Sequence, residues 1–254
     1  MSVNPGMLSK PDVRGTYARM LAEDGHDNID AFVHNAQATF FAGIDLRGKS
    51  LLEVGSGEGL MTLYASMAGA KVVSMEPEMA GSRGGMIDLQ RRRLAALGLS
   101  DVEFLAADFN HWDPGGRTFD VVLLCNSINH LFESPHHARS HPATHKGLIE
   151  VVSRIRRATR AGGVAIASDV CRYGFFMAAS LYGIPRPWNR TPLTLNWRVH
   201  QNPGVWRQIF REAGFSSVDI RYPRPYKLRA LGPLVQNPIA NFFLDASFTI
   251  RARA

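Results

Sequence analysis

The stretch LLEVGSGEG, residues 51–59, constrains this chain more than any other. A short apolar run ends in three glycines spaced two apart, Gly55, Gly57 and Gly59, and a helical pattern starts at Leu60. Glycines this close together mark a backbone that turns sharply and lets a ligand approach it. A strand, a glycine turn and a helix in this order open a parallel α/β sheet, since a parallel strand returns only through a crossover. The dinucleotide fingerprint is G-x-G-x-x-G, with its third glycine inside the helix. Here the spacing is G-x-G-x-G, and Glu53 sets an acid beside the turn. That acid suits a cationic ligand better than a pyrophosphate.

The rest of the chain alternates strands and helices. Residues 1–28 read as a loose N-terminal arm or cap, and residues 29–43 as a helix whose apolar positions recur at helical spacing until Gly43. AKVVSME is a second strand, and Pro77 opens a helix that becomes regular from Met86 to Leu97. DVEFLAADF and FDVVLLCNS read as the third and fourth strands, residues 144–160 as a helix, and GGVAIASDV as the fifth strand. GVWRQIFREAGF is a helix stopped by Gly214, and SSVDIRY and ASFTIRARA are two final strands. The expected fold is α/β: a doubly wound, mainly parallel seven-stranded sheet with helices on both faces, in one domain over residues 29–254. The connections 129–143 and 172–204 exceed normal loop length and follow strand ends, where open α/β sheets bind ligands. The segment 222–245, between the last two strands, reads as an amphipathic cover or a subunit contact.

Composition bounds the class. With 254 residues and 45% apolar content the chain is long enough for one large folded domain. No apolar run suits a signal peptide or a bilayer span, and Cys125 and Cys171 alone make no disulfide framework, so a soluble cytoplasmic protein is expected. The net charge of +7 fits solvated helix faces, or an anionic partner such as a phosphorylated or carboxylated substrate, a membrane surface or a nucleic acid. No nucleic-acid module accompanies the charge. Peripheral membrane contact and a homo-oligomer both stay open.

LLEVGSGEG resembles motif I of the class I S-adenosylmethionine-dependent methyltransferases: an acid, a hydrophobic residue, then G-x-G-x-G. Further matches occur in order, over roughly residues 29–221 and the last strand. Glu76 ends the second strand, where the family acid accepts hydrogen bonds from both ribose hydroxyls. Asp108, in LAADF, matches the residue that binds the adenine amino group, with Phe109 beside the ring. The resemblance therefore implies S-adenosylmethionine as cofactor, a sulfonium without phosphate. Glu53, Gly55, Ser56, Gly57, Gly59, Glu76, Pro77, Asp108, Phe109 and Asn126 would hold it. Taken singly, Glu76 reads equally as a surface acid and Asp108 as a turn residue. The implied reaction is methyl transfer to an oxygen or nitrogen of a small molecule such as a sugar, lipid precursor or secondary metabolite. Nucleic-acid methylation is the alternative, but NSIN after the fourth strand is not the N/D-P-P-Y/F signature of enzymes that flip a base. A non-catalytic partner built on the same fold would not need the intact glycine motif, Glu76 and Asp108.

An alcohol or ammonium must lose a proton to become a nucleophile, so a base is expected near the transferred methyl. CNSINHL, residues 125–131, places Asn129 and His130 just after the fourth strand. His130 is the first candidate base, since imidazole titrates near neutral pH, and Asn129 would orient the acceptor. The plain alternative is that His130 merely packs, or caps the next helix. SDVCRYGFF and LNWRVHQ resemble pieces of a less characterised bacterial group that carries D-x-x-R-x-x-F-F and W-x-x-H-Q. If so, Asp169, Arg172, Trp197 and His200 line the acceptor pocket, with Asp169 and His200 as further catalytic candidates and Arg172 pairing an anionic acceptor group. A structural Asp–Arg pair and a core tryptophan are the bland alternatives. No metal is expected, because Pro135 and Pro142 interrupt any helix that would align His136, His137, His141 and His145.

Overall fold

The computed structural model describes residues 6–26, 28–77, 84–175, 196–223, 226–244 and 246–254. Seven strands form one sheet: β1 (Ser50–Val54), β2 (Lys71–Met75), β3 (Val102–Leu105), β4 (Phe119–Cys125), β5 (Thr159–Val170), β6 (Ser217–Arg221) and β7 (Ser247–Arg253). Their order is β3-β2-β1-β4-β5-β7-β6. β1 pairs in parallel with β2 and β4, β2 pairs in parallel with β3, and β6 and β7 pair antiparallel. Seven helices accompany them among the described residues: α1 (Pro11–Glu23), α2 (Ile29–Asn35), α3 (Leu60–Met67), α4 (Met86–Ala96), α5 (Pro142–Ala158), α6 (Pro203–Glu212) and α7 (Pro238–Leu244). The doubly wound α/β sheet expected from the alternation is the fold observed.

The chain divides into two compact units, one of residues 1–125 with 157–164, the other of residues 126–156 with 165–254. The core of the first unit is the central pair β1 and β4. Leu51, Leu52, Val54 and Val121 to Leu124 are all buried, as strands of a sheet covered on both faces are, and Glu53 is buried among them. In the second unit Trp206 and Phe210 of α6 and Phe248 and Ile250 of β7 have no exposed surface.

Three segments differ from the sequence reading. The start is not loose from residue 11: Pro11 opens α1, and Val13, Tyr17, Met20 and Leu21 form a buried stripe at helical spacing. Tyr17 Oη donates to the Leu60 carbonyl at 2.7 Å, tying α1 to the first turn of α3. α2 stops at Asn35 and continues as a π-turn through Phe40, earlier than Gly43. β5 starts at Thr159, ahead of the glycine pair at which the sequence reading opens the strand. Gly162 takes φ +75° inside the strand, and a Cβ on Gly163 would lie 2.9–3.1 Å from the carbonyl oxygens of Arg160, Asp120 and Phe119. Those glycines let two backbones approach rather than end an element. The 222–245 segment holds short 3-10 turns over Tyr226–Val235 and then α7. Of the 172–204 connection, residues 176–195 lie outside the described residues, and so does the second phenylalanine of its FF pair.

Candidate active site

In the first unit the glycine turn between β1 and α3 is a left-handed backbone at each of its three glycines: φ is +69° at Gly55, +50° at Gly57 and +78° at Gly59. Side chains from below hold that shape. Gln90 of α4 has no exposed surface. Its Nε2 donates to Gly57 O at 2.7 Å and to Ser56 Oγ at 2.9 Å, and its Oε1 accepts from Ser74 Oγ at 2.6 Å. One helical turn on, Arg93 donates to Glu58 O at 3.0 Å and pairs with Asp24 at 2.6 Å, just past the end of α1. Burial lowers the Arg93 pKa, but Asp24 and Glu23 outweigh it and the pKa is raised. A Cβ on Gly59 would meet Gln90 Cγ at 2.5 Å, so the loop and the glutamine fit only with glycine there.

The acids around this loop divide by environment. Glu76 follows β2, is buried, and accepts from the Gly57 N–H at 2.8 Å through Oε2. Its Oε1 takes no hydrogen bond among the described residues. Glu53 is also buried, but its partner is Thr62 Oγ1 of α3 at 2.5 Å. Burial pushes its pKa up to about 8, against the lowering effect of Thr62, so at neutral pH it is an uncharged carboxyl rather than the carboxylate the sequence suggests. Asp108 closes a turn: Oδ1 accepts from Asn110 N at 2.9 Å, and Oδ2 lies 2.8 Å from His111 Nδ1. Phe109 is buried with its ring 6.3 Å from Trp112, while Ser56 is buried and Pro77 half-buried.

In the second unit a polar cluster gathers the candidates that follow β4 and β5. Asn126 is exposed at φ +56°, with its N–H on Ser168 O at 2.7 Å. Asn129 is fully buried. Its Oδ1 accepts from Gln201 N at 3.1 Å and Trp206 Nε1 at 3.3 Å, which fixes the amide so that Nδ2 faces His200 Nδ1 at 3.1 Å. The same Nδ1 lies 3.2 Å from the Val170 carbonyl, which can only accept, and Nε2 is a buried atom without a partner among the described residues. Burial lowers the His200 pKa, although Asp169, 3.6 Å away, opposes this. Asp169 is itself buried, its pKa raised by desolvation, and it accepts from Asn129 N at 3.2 Å and Val170 N at 2.8 Å.

His130 is exposed, with Nδ1 2.8 Å from Glu133 Oε1 and its ring edge-on to His200 at 5.9 Å. The carboxylate at Nδ1 keeps a proton there and leaves the Nε2 lone pair as the basic site. Arg172 does not stand ready for an anion: its guanidinium donates to the carbonyls of Arg198 (2.6 Å), Pro135 (3.0 Å) and His200 (3.3 Å). Trp197 is half-buried, 5.7 Å from the His200 ring. The histidine row is dispersed, His136 stacking on His141 at 4.2 Å and His145 pairing with Glu212 at 2.6 Å. Among the described residues no three His, Cys, Asp or Glu side chains gather as a metal site.

A family profile described as "Methyltransferase domain" matches residues 51–163. No curated protein matches the chain. Solved structures do. A SAM dependent methyltransferase from Archaeoglobus fulgidus superposes with a TM-score of 0.56 at 13% identity, over 94% of this chain and 100% of that one. One from Aquifex aeolicus gives 0.54 at 14% identity, over 93% and 97%. A DhpI–SAM–HEP complex gives 0.54 at 17% identity, over 98% of each chain. The fold is that of the class I methyltransferases. No lysine or arginine lies in residues 55–60, and Glu76 Oε1, beside the loop, takes no hydrogen bond among the described residues.

Sequence reading missed Gln90 and Arg93. The signal was there in Ile87, Gln90 and Leu94, spaced as one buried face, with a polar residue in the middle of it.

Proposed function

We propose that the protein transfers a methyl group from S-adenosylmethionine to an oxygen or nitrogen of a small molecule. The observation that carries the reading is the Gly57–Glu76 hydrogen bond: a carboxylate locked to the glycine loop by one oxygen, with the other open to a ribose diol. The cofactor would supply an electrophilic methyl and leave as an uncharged thioether. The chain's own residues supply the rest. Gly55, Gly57 and Gly59 let the loop backbone come close, and Glu76 accepts from the ribose. His130, oriented by Glu133, takes the acceptor's proton on Nε2. Asn129, fixed by Gln201 and Trp206, and the Val170 carbonyl hold the His200 ring, which leaves Nε2 to meet a polar acceptor atom.

The glycine spacing, G-x-G-x-G rather than G-x-G-x-x-G, favours this reading over a dinucleotide oxidoreductase. Calorimetry should show binding of S-adenosylmethionine and of S-adenosylhomocysteine without added metal. Glu76→Ala should cost about 2–4 kcal/mol of that binding. Binding of NADH with no signal from either sulfur compound would overturn the proposal. A mass-spectrometric screen with labelled cofactor then identifies the acceptor.

A further inference from the structure

The positive charge of the chain is not spread along it. Residues 1–169 carry 17 Lys and Arg against 19 Asp and Glu, whereas residues 170–254 carry 12 against three. No acid occurs between Asp219 and Asp245, a stretch that contains Arg221, Arg224, Lys227 and Arg229. An asymmetry this strong points to an anionic partner on the carboxyl-terminal part.

The same stretch turns apolar side chains outward. Leu234 and Ile239 are 77% and 73% exposed, and Leu231, Phe242 and Phe243 are exposed as well. Helix α7 is inverted: Ile239, Phe242 and Phe243 share its solvent face at spacings of three and four, while Asn241 is buried, its Nδ2 3.9 Å from Cys171 Sγ. Asn237 Nδ2 donates to Leu234 O at 2.8 Å and folds the preceding turn onto the helix start. The patch continues to exposed Phe175, whose ring lies 5.4 Å from Phe243. Large apolar side chains grouped on a surface mark a contact site.

We infer that this face docks on an anionic lipid bilayer surface. Outward aliphatic and aromatic side chains in a segment whose sequence is cationic and acid-free are what an interfacial element needs: the apolar tips would enter the headgroup boundary and the cations would pair with headgroups. Each such cation raises affinity about fivefold near an anionic surface. A second copy of the chain would bring like charge against like charge. A nucleic acid would leave the leucine and isoleucine tips against phosphate.

The test uses the full chain and vesicles of phosphatidylcholine with or without phosphatidylglycerol. The protein should sediment with the anionic vesicles, release as salt rises, and bind phosphatidylcholine alone about tenfold more weakly or worse. Leu234→Ser combined with Ile239→Ser, both solvent-facing, should keep the wild-type Tm and lower binding to anionic vesicles about tenfold or more. Failure of the wild type to sediment with them would overturn the inference, as would wild-type binding by the double variant. So would a wild-type dimer that the double variant dissolves without any vesicle binding, or nucleic-acid binding in its place. Cofactor binding is measured separately, so this result and the methyltransferase reading stand or fall independently.

Discussion

Replacing Gln90 by methionine keeps the length of the side chain and removes its polar end, which isolates the support α4 gives to the glycine loop. The side chain makes three hydrogen bonds of 2.6–2.9 Å, to Ser74, Ser56 and Gly57 O. Ser74 and Ser56 lie 2.8 Å apart and still satisfy one another after the change, so the group left without a partner is the Gly57 carbonyl. A buried unpaired carbonyl costs about 1–3 kcal/mol, and the weakened serine contacts add about 1 kcal/mol more. The loop escapes part of this cost by rotating the carbonyl away, which also moves the Gly57 N–H that Glu76 holds. If the binding-competent loop falls to about one tenth of the population, the Kd for S-adenosylhomocysteine rises about tenfold. Gln90→Glu sharpens the test. Its protonated form restores a donor to Gly57 O, and its carboxylate does not. Burial raises the folded pKa of that carboxyl, so its contribution is complete below the unfolded value and is lost as pH rises through the folded one. Calorimetry across pH should therefore find near-wild-type affinity at acid pH that declines on the basic side, with Gln90→Met weak throughout relative to wild type. A wild-type Kd for Gln90→Met, measured beside a lowered Tm, would refute the coupling between this side chain and the shape of the loop. Loss of affinity in Gln90→Glu at every pH would refute the role of the single donor.

Two other outcomes are expected of the site. Glu53, ordinarily titrating near 4.5, is held protonated to about 8 in the fold. Because the folded pKa is the higher one, the folded state binds the extra proton, and stability declines as pH rises across that interval. Urea unfolding of Glu53→Gln should show a shallower decline than wild type, and parallel curves would remove Glu53 as the source. For His130→Ala, single-turnover methyl transfer should fall about a hundredfold with cofactor affinity nearly intact. A wild-type rate would end its candidacy as base.

The elements that announce themselves in the sequence are those whose burial is continuous. β1 and β4 are apolar runs with one acid each, Glu53 and Asp120, and the glycine spacing after β1 is visible because left-handed backbone all but demands glycine. α1 is harder to see: its four buried residues sit among Lys10, Arg14 and Arg19, and its hold on the fold comes from a tyrosine hydroxyl on a carbonyl 43 residues away. Gly162 and Gly163 look like the start of β5 rather than its interior because sequence cannot register a neighbouring strand's carbonyls pressing on the site of a Cβ. The site residues divide the same way. Glu76 and the glycines were legible as a motif with a spacing. That Glu53 would be neutral, that Asn129 would be locked by two donors, and that Arg172 would spend its guanidinium on main chain all depend on partners 9 to 77 residues distant.

Arg172 has a consequence for anyone wishing to retarget the acceptor. Its guanidinium gathers the carbonyls of Pro135, Arg198 and His200, and so reads main chain rather than side chains. Identity at those contact points is invisible to it. The exposed side chains of Arg139 and Arg198, beside those contact points, can therefore be varied in a library while the frame that presents them stays put. Grafting either segment whole from another protein breaks the frame unless both segments and the arginine travel together.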